Sequence, residues 1–112
     1  MTLTDWAISF AITQAIEVPI YALAFRRAGR TPLVSISLAF LASTLTHPVL
    51  WLVWERVDLP YWYRLASLEL VVWGVETVYC RLLSLQRPVL WAFAANTASI
   101  AGGFFYQALQ SH

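Results

Sequence analysis

The chain contains no lysine, one cysteine, one methionine and few charged residues of either sign. All seven basic residues are arginine, which reads as codon usage and carries no mechanism. The lone thiol, Cys80, excludes an internal disulfide and a thiolate metal site, and it says nothing about redox compartment. Charged residues make up only 12% of the chain and apolar ones 60%. A water-facing domain carries about a quarter charged residues, so a chain this poor in charge needs lipid as part of its solvent. The net charge of +1 excludes the basic footprint of a nucleic-acid binder. Enzyme signatures are missing as well. There is no GxSxG, no HExxH, no Walker loop, no paired CxxC, and none of the ExxH pairs that di-iron bundles use. A non-enzymatic role is the expectation.

What the sequence does have is long apolar runs. A helix needs roughly 20 such residues to cross the hydrocarbon core. Four stretches qualify, at about 6–25, 32–54, 60–83 and 88–109. Polar punctuation falls between them: Arg26-Arg27, Glu55-Arg56, and the residues around Ser84. Thr31-Pro32 reads as an N-cap followed by proline in the first turn. Asp58 before Pro60 and Ser84 before Pro88 read as similar starts. Connections this short make consecutive helices antiparallel neighbours. No stretch alternates with the period of a barrel strand. The first run is too long for a signal-peptide core, and its arginines follow it instead of preceding it. The expectation is therefore an all-α integral membrane protein, a single domain over 1–112, folded as an antiparallel bundle of four transmembrane helices.

Arginine placement sets an expected orientation. Arg26, Arg27, Arg30, Arg81 and Arg87 fall at one end of the bundle, against Arg56 and Arg64 at the other. The positive-inside rule puts loops 26–31 and 84–87 in the cytoplasm and both termini outside, in a bacterial or archaeal inner membrane. Trp6, Trp51, Trp54, Tyr61, Trp62 and Tyr63 then form an aromatic belt at the outer interface.

Four ionisable residues fall inside the runs: Glu17, His47, Glu69 and Glu76. A carboxylate at bilayer depth costs on the order of 3 kcal/mol, so these groups must face each other, water or an ion. Glu69 and Glu76, two helical turns apart, share a face with Trp73 and Cys80. Gln14 and Tyr21 flank Glu17 by one turn on either side, and Thr13 sits beside Gln14. Ser43 lies one turn before His47. Asn96, Thr97 and Ser99 form a polar patch on the fourth helix. Counting ~1.5 Å per residue places Glu17, Glu76 and Asn96 in one layer, and His47 with Glu69 in another nearer the termini. Pro19 and Pro48 free the carbonyls of Ala15 and Thr44 beside these groups.

These residues suit a small transporter or channel subunit that handles a cation or protons. Glu17 and Glu76 would form the central site, and His47 with Glu69 the outer access site. Gln14, Tyr21, Ser43, Asn96 and Thr97 would support them. The same four ionisable residues are the candidates for a bound divalent cation such as Zn, Mn or Fe. Four helices enclose little volume, so a homo-oligomer in the lipid bilayer is expected. Two other classes stand beside this reading: an assembly subunit whose buried polar groups choose helix partners, and an intramembrane metalloenzyme. Asn96, Thr97, Ser99, Gly102 and Gly103 have a plainer use in close helix packing. Trp73 and Tyr79 are read as packing residues, and Cys80 as an inert buried thiol.

Overall fold

The computed structural model describes residues 2–110. Four α-helices follow one another: α1 (Leu3–Arg27), α2 (Pro32–Trp54), α3 (Tyr61–Leu82) and α4 (Pro88–Gln110). No strand occurs among the described residues. Helices α1, α2 and α4 are each long and apolar enough to cross a membrane. Helix α3 has the length, but Glu69, Glu76 and the arginines near its two ends lower its mean hydropathy.

Local chemistry sets the helix ends. Helix α1 begins earlier than its apolar run because Thr2 and Asp5 form a capping box. The Asp5 N–H donates to Thr2 Oγ1 at 3.0 Å, and the Thr2 N–H donates to Asp5 Oδ2 at 3.1 Å. That arrangement satisfies two of the donors every helix start leaves free. Thr31 caps α2 as its sequence suggests, accepting from the Val34 N–H at 3.3 Å, with Pro32 in the first turn. Asp58 does not cap α3: Pro60 holds that position and no side chain caps it. Ser84 also differs from expectation. It lies in the left-handed region at φ 65°, and the next N–H, that of Leu85, donates back to Cys80 O at 3.0 Å. Ser84 therefore ends α3 in a Schellman turn and does not start α4. Gly29, at φ 92°, ends α1 in the same way, with the Arg30 N–H donating to Phe25 O at 3.1 Å. A side chain at Gly29 would meet that positive φ with strain.

The helices form a four-cornered ring. Helix α1 packs against α2 and α4, and α3 against α4; α2 and α3 touch least. The backbones of the diagonal pairs do not approach among the described residues. The polarity is inverted relative to a water-soluble bundle. Glu17, Ser43 and Glu76 are at most 2% exposed, whereas Leu33, Leu70 and Phe105 are more than 60% exposed. Packing is also uneven along the length. Tyr21, Ala24, Phe25, Ala39, Ala42, Cys80, Leu85 and Ala95 make one core, and all belong to the half of the bundle that ends in the arginine-bearing loops. Small side chains on α2 and α4 let the helices close there. Arg30 ties this end shut, donating to Leu83 O at 2.7 Å and stacking 5.7 Å over the Phe25 ring. In the other half a cavity opens between the helices.

Candidate functional site

Glu76 sits at the centre, where each of the other helices supplies it one donor. Tyr21 of α1 donates its hydroxyl to Oε1 at 2.5 Å. Asn96 of α4 donates its amide to the same oxygen at 2.9 Å. Thr46 of α2 donates to Oε2 at 2.8 Å. A side chain as long as tyrosine is needed to reach across the diagonal from α1 to α3. Asn96 spends its second amide hydrogen on Ala92 O at 2.8 Å, which fixes its orientation. Beside it, Ser43 of α2 donates to Glu17 Oε1 at 2.7 Å. Glu17 and Glu76 lie within electrostatic reach of each other, and so do Glu69 and Glu76.

The Thr46 hydroxyl has one hydrogen and two acceptors. Besides Glu76, the backbone oxygen of Ser43 lies 3.3 Å away. When Glu76 is ionised, Thr46 donates to it. When Glu76 carries a proton on Oε2, it can donate to Thr46, which then turns its own hydrogen to Ser43 O. The same heavy-atom arrangement thus satisfies both protonation states.

Above this layer the bundle opens into a cavity of about 280 Å³. Glu17, Glu76, Thr46 and Asn96 form its floor, Glu69 and His47 stand on its walls, and Trp6, Trp51, Trp54, Tyr61 and Phe104 surround its mouth. No arginine lines it. Glu69 Oε2 and His47 Nδ1 have no hydrogen-bond partner among the described residues. His47 lies against Phe10 and Trp6, at ring separations of 5.2 and 6.0 Å. A larger cavity, about 650 Å³, lies at the opposite end beside Arg27, Arg87 and Trp91, and no acidic group lines it.

Most expected residues converge, but with different partners. Glu17, Glu76 and Asn96 share one layer, as helical counting indicates. Tyr21 serves Glu76, although it flanks Glu17 in sequence. Ser43 serves Glu17, not His47. No hydrogen bond joins His47 to Glu69, though both line the cavity. Gln14 turns to the α1–α2 seam and donates to Thr44 Oγ1 at 3.3 Å. Thr97 lies on the outer face, exposed. Trp62 and Tyr63 also point outward, whereas Trp6, Trp51, Trp54 and Tyr61 line the cavity mouth. Thr46 was not expected. A clue lay in the α2 stripe of small residues, Ser35, Ala39, Ala42, Ser43 and Thr46, which recurs at helical spacing and is buried throughout. Among the described residues, no group of three or more His, Cys, Asp and Glu is placed to hold a metal ion. The arrangement suits proton exchange and recognition of a cation at a buried carboxylate pair. No family model, no curated protein and no solved structure matches this chain.

Proposed function

We propose that the chain is a small membrane transport protein, or a subunit of one, that moves a cation in exchange for protons through the Glu17–Glu76 site. The observation that carries this reading is the one-sided cavity: a carboxylate floor, Glu69 Oε2 and His47 Nδ1 on the walls without hydrogen-bond partners among the described residues, an open aromatic end, and the buried cluster of Tyr21, Phe25 and Cys80 between the floor and the arginine end. In lipid, ionisable residues that line a cavity mark ion or proton paths. A site near the middle of the bundle, open to one side and closed to the other, is one state of an alternating-access cycle. A proton on Glu76 Oε2 is held by Thr46; an arriving cation favours the ionised pair and drives that proton out through the cavity. Pro19 and Pro48 interrupt the backbone ladder near the site and give the helices a place to bend.

In this reading all four helices span the membrane. Helix α3 places its two carboxylates inside and its arginines at the two interfaces. The arginine-rich end faces the cytoplasm of a bacterial or archaeal cell, with both termini outside. A homo-oligomer supplies the surface that so small a bundle lacks.

A second reading rests on Glu76 alone. Its oxygens accept from three other helices, which is also what a structural clasp requires, and an assembly subunit would need nothing more. Purified protein in liposomes with a trapped pH dye separates the two. Transport gives a saturable, cation-driven proton flux that changes between about pH 5 and 8. Glu17→Gln and Glu76→Gln abolish it while helicity and monodispersity are kept. If the wild type gives no such flux, the assembly reading stands; if both variants carry protons like the wild type, the glutamates are structural and the proposed path is wrong.

A further inference from the structure

The cavity does not end at its aromatic mouth. Between α2 and α3, the pair of helices that touch least, lies a second groove of about 220 Å³. Its lining is aliphatic apart from Thr46, and Val49 and Val71 on its outer lip are more than half exposed. Thr46, Leu50 and Val72 line both spaces. These three side chains form the thin wall between the groove, which faces the outer, apolar surface of the bundle, and the cavity over the carboxylate floor, so the groove is a side window once Leu50 and Val72 turn aside.

Three chemistries meet along this path. The floor carries two carboxyl groups, and no arginine lines the cavity. The mouth is a collar of aromatic rings, whose faces attract cations. The window is hydrocarbon. A bare metal ion uses only the first of these, and it needs several oxygens around it, where the described residues offer no group of three acidic, histidine or cysteine ligands. A neutral lipid uses only the last. We propose that the ligand of this cavity is an amphiphilic organic ammonium: a cationic head on Glu17 and Glu76 beneath the aromatic rings, and an apolar tail that leaves through the α2–α3 window past Leu50 and Val72. Such a molecule reaches the site sideways from the bilayer. This inference rests on the reading of the floor as a cation site and adds the class of cation and its route.

The test uses the protein's own tryptophans. Full-length protein in lipid nanodiscs is titrated with dodecyl(3-bromopropyl)dimethylammonium, which carries its bromine beside the cationic head, bromine being a short-range quencher of Trp6, Trp51 and Trp54 at the cavity mouth. The expected result is saturable quenching displaced by unbrominated dodecyltrimethylammonium. Tetramethylammonium, which lacks the tail, and dodecanol, which lacks the charge, should compete at least about tenfold more weakly. Glu17→Gln should weaken binding of the long-chain ammonium, and Val49→Phe, which narrows the groove from outside, should weaken it without changing competition by tetramethylammonium. The competition series needs no variant, so misfolding cannot obscure it. Equal competition by dodecanol overturns recognition of charge, and equal competition by tetramethylammonium overturns the window. If no saturable quenching occurs while liposomes still show cation-driven proton flux, this inference falls and the transport reading survives. If both are absent, the reading beneath it falls too.

Discussion

Removing the Tyr21 hydroxyl tests whether Glu76 is the point that holds the helices together. In Tyr21→Phe the ring remains and the core keeps its shape, because Tyr21 is fully buried among small side chains. Only the 2.5 Å bond to Glu76 Oε1 is lost. Side-chain hydrogen bonds between membrane helices average about 0.6 kcal/mol and reach about 1.7, whereas bonds to charged groups in proteins run to roughly 1.5–3. The Tyr21 bond is short, enclosed and made to a carboxyl group, so it belongs near the top of the membrane range, at about 1.5 kcal/mol. Tyr79 provides an internal control. It also donates across helices, to Leu38 O at 2.9 Å, but it is only half-buried and its acceptor is a backbone carbonyl that keeps another lone pair. Tyr79→Phe should cost about 0.5 kcal/mol. Reversible unfolding in mixed micelles, followed by helicity, measures both. A Tyr21→Phe protein as stable as the wild type, or less affected than Tyr79→Phe, refutes the clasp.

At Glu76 itself, Gln should cost less than about 1 kcal/mol: its carbonyl still accepts from Tyr21 and Asn96, and its amide donates to Thr46, whose hydrogen turns to Ser43 O. Glu76→Leu leaves two donors unsatisfied, the Tyr21 hydroxyl and one Asn96 amide hydrogen, at about 1–3 kcal/mol each, while Thr46 turns to Ser43 O; it should fail to give monodisperse protein, and equal yields of the two variants would contradict this. A Cβ at Gly102 would collide with Ile16 Cδ1, the mobile end of a side chain, so Gly102→Ala should be nearly neutral in the same unfolding assay, while Gly102→Leu should cost more than about 1 kcal/mol by overpacking α1 against α4. Arg30→Ala loses the bond to Leu83 O and should speed amide exchange over residues 83–87; Arg30→Lys should not restore it, since lysine lacks the planar fork that reaches the carbonyl and stacks on Phe25. In a Cys80→Ser background, a cysteine at Gly29 should resist an impermeant reagent on intact cells, and labelling there would reverse the orientation.

Helix number and approximate limits were legible because apolar runs and short breaks are one-dimensional features. So was the shared layer of Glu17, Glu76 and Asn96, which follows from rise per residue along antiparallel helices. Partner choice was not legible, because it depends on how each helix is rotated about its axis. Tyr21 lies one turn from Glu17, yet its hydroxyl extends past that neighbour to α3. Ser43 lies one turn from His47, yet it faces α1. Thr46 stood beside His47 and was overlooked, although the small-residue stripe of α2 identified its buried face. The capping box was readable as Thr2-x-x-Asp5, but it lies outside the apolar run that defined the span. Ser84 could be read as either a start or a stop signal, and only the left-handed backbone decides between them. The uneven packing was also implicit: alanines and serines cluster toward the arginine end, and tryptophans toward the other.

The most direct test of the central claim, that Glu17 and Glu76 exchange protons with water through the cavity, is infrared difference spectroscopy of the protein in lipid across a pH titration. The carboxyl C=O stretch should change between about pH 5 and 8, shift on transfer to heavy water, and lose that component when both Glu17→Gln and Glu76→Gln are present. A carboxyl signal that stays constant over this range, or that titrates equally in the doubly substituted protein, would contradict it.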